Sequence, residues 1–148
     1  EFELLVAREA VDSLQNKLRT TVGVVSHGRV AQAQLSHDMM SAGVYAYPGC
    51  SMPEGFGVVL AQAAAGGMQI LAPNEGALPE ILPADVALVS PMKVDADAEA
   101  FAQALIDQLE HPMSDSRRLD VSDAVWKQHS IGNVADRFEA VLKKDGLA

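Results

Sequence analysis

Residues 42–72 are AGVYAYPGCSMPEGFGVVLAQAAAGGMQILA, and this stretch decides the fold. Its first six residues, 42–47, form an apolar and aromatic run that predicts a strand ended by a Pro-Gly pair. Residues 56–65 then predict a helix, and two glycines end it because glycine accepts the left-handed conformation at a helix C-terminus. Residues 68–72 predict a second strand. This order predicts a right-handed βαβ unit with two parallel strands.

The same alternation continues on both sides of this unit. The elements predicted upstream are strand, helix, strand and helix, over residues 2–7, 8–18, 22–26 and 31–41. A continuous helix over residues 3–18 is the alternative for the first two. The elements predicted downstream are a helical turn, a strand, a helix and one or two further helices, over residues 78–82, 86–89, 97–110 and 114–142. A strand roughly every 20 to 25 residues predicts an α/β fold, a single Rossmann-like three-layer sandwich around a parallel sheet over residues 1–148.

Composition limits the classes of function. The chain has 148 residues, of which 49% are hydrophobic and 21% charged, which is ordinary for one globular domain. A net charge of −9 provides no general field for nucleic acid or an anionic membrane surface, so neither is expected as a partner. The single cysteine, Cys50, excludes an intramolecular disulfide and a cysteine-cluster zinc site. No apolar run approaches the roughly 20 residues that span a bilayer, so the expected location is cytoplasmic.

The loop between the two central strands is the most informative candidate site. Ligands of open parallel sheets bind at the carboxyl ends of the strands. The first N–H groups of the helix that begins near Val58 have no partner within the helix, and the helix dipole makes this end positive. Gly55 and Gly57 have no Cβ, so a diphosphate could approach the backbone closely. Glu54 could accept hydrogen bonds from a sugar and Gln62 could bond a ribose. The alternative is a glycine-rich turn with a solvated glutamate.

Two other loops follow predicted strands. Residues 74–80 place two carboxylates beside the same crevice, or else form only a turn and a short helix. Arg29 is one of few cations near the crevice, whereas His27 is more typical of a surface residue. No metal-ligand pattern is present.

Several side chains are interpreted as packing residues. Met39, Met40, Met52, Met68 and the other aromatic residues are assigned to packing, and Trp126 and His129 to docking of the last helix.

Four of these segments resemble the family-four glycosyltransferases, which are retaining enzymes of the GT-B fold. Residues 53–67 are similar to the signature segment of that family, and residues 76–81 to its GGLPEI loop. Residues 27–30 resemble its GRV turn, and residues 42–48 resemble the strand that leads into the signature. Order and spacing agree over residues 22–142.

The resemblance implies the C-terminal, donor-binding domain of such an enzyme. The donor substrate would be a nucleotide-diphosphate sugar, with no cofactor and usually no essential metal. The first signature glutamate contacts the donor sugar, which makes Glu54 the implied catalytic residue. The implied contacts to sugar and phosphates are Gly55, Phe56, Gly57, Val58 and Val59. The family's ribose-binding glutamate is replaced here by Gln62, which loses a charge-assisted contribution of about 1 kcal/mol per hydrogen bond.

Two departures limit what the resemblance implies. The family's donor domain begins with a strand, a Gly-Arg loop and a lysine that neutralise the diphosphate, and Arg8 and Lys17 stand in a different context. The acceptor domain has no counterpart in the sequence, although transfer takes place between the two domains. The chain is therefore expected to be a truncated donor domain that transfers sugar with an acceptor-domain partner. A sheet edge left bare could also form a homodimer.

Two other functions are compatible with the sequence. A divergent, non-catalytic domain could bind nucleotide sugars weakly or act as a protein-interaction module. A Rossmann-like domain of unrelated regulatory function is the third hypothesis. The donor-domain hypothesis predicts saturable nucleotide binding with sugar transfer. The non-catalytic hypothesis predicts a folded protein without transfer.

Overall fold

The computed structural model describes residues 12–25, 27, 30–49, 55–83, 88–89 and 98–146. The chain divides into two compact units, residues 1–38 and residues 39–148. The described elements, in chain order, are α1 Asp12–Thr20, α2 Gln32–Ser41, β1 Val44–Ala46, α3 Val58–Ala65, β2 Gln69–Pro73, α4 Leu78–Ile81, β3 Leu88–Val89, α5 Ala98–Glu110, α6 Asp115–His129 and α7 Ile131–Lys144.

The strands form a parallel sheet in the order β1-β2-β3. Val44 pairs with Gln69 between β1 and β2, and Ala72 pairs with Leu88 between β2 and β3. Every residue of β2 is buried. Because side chains alternate between the faces of a strand, β2 is covered on both faces, as parallel strands require. The predicted α/β fold with a parallel sheet is confirmed.

The core of residues 39–148 centres on β2 and α3. Ala63, Ala64 and Leu71 are completely buried. Alanine has a small side chain, so α3 can lie close to its neighbours. The helices α3 and α6 pack together, and Val121 and Val125 of α6 are also buried. Each methylene removed from water in such a core stabilises the fold by about 0.8 kcal/mol.

Side chains of α6 donate to carbonyl groups at the C-terminal ends of α2 and α3. The Arg118 Nε atom donates to the Gly67 carbonyl at 2.6 Å, and its Nη2 atom donates to the Ala42 carbonyl at 3.3 Å. Ser122 Oγ donates to the Ala65 carbonyl at 2.6 Å. The last carbonyls of a helix have no partner within it, so these bonds remove a desolvation cost. Gly67 has φ 79°, which confirms the predicted glycine end of this helix.

The helix α5 lies against β1 and β2, and the segment that follows it is tied to the sheet. The buried Gln69 side chain accepts a hydrogen bond from the Met113 backbone N–H at 2.9 Å. Ser114 then caps α6, its hydroxyl accepting from the Arg117 N–H at 3.4 Å. This link fixes the point at which α6 begins.

The helix α7 is amphipathic and begins directly after α6. Its Asn133 side chain donates to the Lys127 carbonyl at 3.0 Å. Its apolar residues Val134, Phe138 and Val141 are nevertheless exposed. The predicted helical segment over residues 114–142 forms two helices, which meet at Ser130.

The predicted strand over residues 22–26 is wrong for the residues that the structure describes. The Val24 N–H donates to the Thr21 carbonyl at 3.2 Å, and Gly23 has φ 80°, so this segment is a turn. Val22 is 99% exposed. The β propensity of valine reflects packing within a sheet, and these residues pair with no described strand.

The other predicted elements have different outcomes. The helices over 31–41, 56–65 and 97–110 and the strands over 42–47 and 68–72 are confirmed, with ends shifted by up to two residues. Residues 2–7 lie outside the described part, so the choice between a strand and a continuous helix stays open.

Three of the methionines that are predicted to pack lie in the described part of the chain, and Met52 lies outside it. Met39 and Met68 are buried as predicted, but Met40 is 62% exposed. Successive residues of a helix point to different sides, so Met39 and Met40 cannot both face the core.

Within the described residues, no helix combines the length and the apolar character needed to cross a membrane.

We expect Leu71→Ala to lower the free energy of unfolding by about 3 kcal/mol because it leaves a cavity in a fully buried site. The matched control is Leu119→Ala on α6, where the side chain is 66% exposed and the change should stay within about 0.5 kcal/mol. Urea unfolding measures both. Equal losses in the two variants would contradict the assignment of β2 to the core.

Candidate functional site

The backbone at Gly57 sets the start of α3. Gly57 occupies the N-cap position with φ 68° and ψ 42°, a left-handed conformation, and is buried. Its carbonyl accepts the Ala61 N–H at 3.0 Å, which is the first hydrogen bond of the helix. Because glycine has no side chain, Gly57 itself contributes no side-chain hydrogen bond to this helix N-terminus. Glycine is the residue that adopts this conformation without steric cost.

A cavity of about 290 Å³ lies beside this N-terminus. Its lining residues come from the end of β1 and the start of α3: Tyr45, Tyr47, Phe56, Gly57, Val58, Val59 and Leu60. Tyr45 and Tyr47 are two positions apart, so both side chains lie on the same side of the β1 segment. Phe56 is 50% exposed and forms part of the open side of the cavity. The fold therefore joins two predicted features, a strand end and a helix N-terminus, in one concave site.

The loops that follow β1 and β2 are neighbours. Gly49, after β1, has φ 90°, and a Cβ at this position would lie 3.0 Å from Glu75 Oε1 and 3.2 Å from Pro73 Cγ. The Glu75 N–H donates to the Pro73 carbonyl at 3.0 Å, which turns the chain after β2. The carboxylate of Glu75 thus lies next to the backbone of the loop that leads toward the cavity.

The end of α6 contacts Phe56 beside the cavity and also contacts the end of α4. The Phe56 and His129 rings have centroids 5.9 Å apart and planes at 83°, an edge-to-face arrangement. His129 Nε2 lies 2.9 Å from the Ile81 carbonyl oxygen at the end of α4, and Gln128 Nε2 donates to the Glu80 carbonyl at 2.9 Å. A carbonyl only accepts, so His129 carries a proton on Nε2.

Comparison with known proteins identifies the family. The family model described as glycosyl transferases group 1 matches residues 1–111. The chain belongs to this family. It is also similar to the phosphatidylinositol N-acetylglucosaminyltransferase gpi3 subunit of Schizosaccharomyces pombe, with 28% identity over 114 residues. That alignment covers 77% of this chain and 24% of the relative, so the chain spans about a quarter of the relative's length.

In this glycosyltransferase-family chain, five of the residues implied in donor binding lie together. Gly55 precedes the cavity, and the other four line it: Phe56, Gly57, Val58 and Val59. A Cβ added to Gly55 would meet no atom of the described residues within 4 Å, so these neighbours do not require glycine at this position. Gln62 is exposed on α3, one turn after Val58 and outside the cavity lining.

Other predicted site residues cannot be placed beside the cavity. Glu54 and Arg29 lie outside the described residues, and their roles stay predictions. His27 is exposed and belongs to the unit of residues 1–38. Trp126 is 59% exposed, and its assignment as a docking residue stays a prediction.

The sequence interpretation missed three aromatic residues of this region. Tyr45 and Tyr47 are predicted to be packing residues of a strand, although two aromatic residues at alternate positions near a strand end are a usable signal. His129 is predicted to be a docking residue, and nothing in its local sequence indicates the Phe56 contact. That contact depends on how α6 packs against α3.

We expect Gly57→Ala to cost about 1–2 kcal/mol of unfolding free energy, because alanine is strained at a positive φ. Gly55→Ala is the matched control, with open space around the new Cβ and an expected change within about 0.5 kcal/mol. Thermal or urea unfolding measures both variants. A Gly57→Ala protein as stable as the control would contradict the left-handed N-cap.

Proposed function

We propose that this chain binds the donor of a retaining glycosyltransferase, a nucleotide-diphosphate sugar. Together with an acceptor domain it would transfer a hexose from that donor. The observation that supports this most directly is the cavity at the start of α3, which Gly57, Val58 and Val59 line together with three aromatic residues. The family membership supplies the reaction class, and the cavity supplies a place for the donor.

The start of α3 has the chemistry that receives a phosphate. The first turn of α3 contains no acidic residue, so no carboxylate of that turn competes with a bound anion. Backbone N–H groups and the helix dipole favour an anion at such an end. The chain has a net charge of −9, so attraction of a diphosphate has to be local. We propose that Arg29 supplies a positive charge for the diphosphate.

The aromatic walls suit the other parts of the donor. Tyr45, Tyr47 and Phe56 offer ring faces and edges against which a base or a sugar can pack. A cavity of about 290 Å³ is at the small end of ligand pockets. It would hold one moiety of the donor, and the remaining contacts would come from neighbouring residues. We assign the sugar contact and catalytic role to Glu54 and a ribose contact to Gln62.

The finer architecture is part of the same proposal. A parallel sheet in which β2 is covered on both faces fits a Rossmann-like three-layer sandwich of the GT-B C-terminal type. In such enzymes the reaction takes place between two domains, which requires an acceptor-domain partner. The relative named above is a subunit of an N-acetylglucosaminyltransferase. A nucleotide-linked N-acetylglucosamine is therefore the first sugar donor to test.

A second candidate function is a divergent domain without transferase activity. Gln62 favours it, because a neutral amide at the predicted ribose contact forms weaker hydrogen bonds than a carboxylate. This candidate predicts weak nucleotide binding and no sugar transfer with any acceptor.

Calorimetric titration with UDP, GDP, ADP and their sugar conjugates tests the donor-binding proposal. We expect saturable binding of one nucleotide, and weaker binding by Glu54→Ala and by Gly57→Val in samples that remain folded. A folded wild-type chain that binds none of these ligands up to millimolar concentration would overturn the proposal.

The Gln62→Glu variant tests the ribose contact by gain of affinity. Restoring a charged acceptor should strengthen nucleotide binding by about 1 kcal/mol, roughly fivefold. The control is Gln103→Glu, which adds the same charge at an exposed position of α5. If both variants change affinity equally, net charge rather than a ribose contact is responsible.

A further inference from the structure

We propose that His129 is a positioning residue that holds the Phe56 ring in place and thereby shapes the cavity at the start of α3. The inference rests on the proposed function for the identity of the ligand. The ring contact itself can be tested without any ligand.

The orientation of the Phe56 ring affects the cavity that it lines. Phe56 lines the cavity, yet half of its surface is exposed. It precedes Gly57, where the backbone takes the left-handed conformation before α3 begins. An exposed side chain exchanges rotamers on the picosecond to nanosecond timescale unless a neighbour restricts it. A ring that moves freely at this position would change the width of the cavity.

The His129 ring has the geometry to restrict Phe56. The centroid distance of 5.9 Å and the interplanar angle of 83° match the preferred edge-to-face arrangement of aromatic pairs. In that arrangement the positive edge of one ring meets the negative face of the other. His129 is half-buried, whereas Phe56 is exposed, so the less mobile ring supports the more mobile one.

The orientation of His129 is fixed from the opposite side. Its Nε2–H donates to the Ile81 carbonyl at 2.9 Å, and Ile81 is buried in the core. The neighbouring Leu82 N–H donates to the Leu78 carbonyl at 3.1 Å, which closes the short α4 helix. A continuous series of contacts therefore runs from the buried Ile81 of α4 through His129 to Phe56 and the cavity.

Two substitutions separate the ring contact from the hydrogen bond. His129→Gln keeps a side-chain N–H donor for the Ile81 carbonyl and removes the ring. His129→Phe keeps a ring beside Phe56 and removes the donor. Gln128→Ala is the control, because it removes the adjacent hydrogen bond to the Glu80 carbonyl and leaves the ring pair in place.

The first measurement uses the full 148-residue chain with 13C-labelled phenylalanine and no ligand. Phe56→Leu identifies the Phe56 ring signals among the four phenylalanines. We expect nuclear Overhauser contacts between the Phe56 and His129 rings in the unsubstituted chain. We also expect shifted, motionally averaged Phe56 signals in His129→Gln, and signals close to those of the wild type in Gln128→Ala. Absent ring contacts, or unchanged Phe56 signals in His129→Gln, would overturn the proposal.

The second measurement is the affinity for UDP, GDP and ADP, compared with urea unfolding. We expect His129→Gln to bind the preferred nucleotide about three- to tenfold more weakly, while His129→Phe stays within about twofold of the wild type. A purely structural role would give the opposite order, because the loss of the Ile81 hydrogen bond in His129→Phe would then weaken binding most. That order would overturn the proposal. If the wild type binds none of the three, the donor-binding proposal fails, and the Phe56 signals alone decide the role of His129.

Discussion

The packing of α6 along α3 is the contact on which the site depends. Arg118 and Ser122 bind carbonyls at the C-terminal end of α3, and His129 contacts Phe56 just before its N-terminal end. The two helices therefore run antiparallel, with buried alanines of α3 allowing close approach. A buried carbonyl without a partner costs roughly 1–3 kcal/mol, and a part-buried one costs less, so these bonds restrict where α3 can lie. Its N-terminus is consequently held beside the end of β1.

In this acidic chain, a bound anion has to be attracted locally, and the N-terminus of α3 provides such a local attraction. Long-range attraction is unfavourable at a net charge of −9, whereas the N-terminus of a helix acts within its first turn. The left-handed Gly57 ends the preceding loop without adding a side chain at that end. The proposed donor site therefore depends on backbone geometry more than on charged side chains of the described residues.

The family match and the support of the site come from different parts of the chain. The match to glycosyl transferases group 1 covers residues 1–111, which include β1, the cavity and α4. The helix α6 begins at Asp115, beyond the matched residues. Residues that identify the family thus form the cavity walls, while Arg118, Ser122 and His129 hold those walls in position. Comparison with relatives over the matched segment cannot assign a role to His129.

The sequence alone determined the elements that have strong local signals. The alternation of strand and helix patterns predicted β1, α3 and β2 in their observed order. The apolar helix and the glycines that follow residue 65 also belong to this local signal. The same local pattern placed a glycine-rich loop at the start of α3. These features depend on steric preferences and hydrophobic periodicity within a few residues, which a sequence displays directly.

The tertiary structure decided everything that depends on partners distant in the chain. Val22 and Val24 have strand propensity, yet they form a turn because no described strand pairs with them. Tyr45 and Tyr47 line a cavity only because α3 lies beside the end of β1. The contact between Phe56 and His129 arises because α6 runs back along α3. Propensity is a weak local preference, and packing energies of several kcal/mol between distant segments override it.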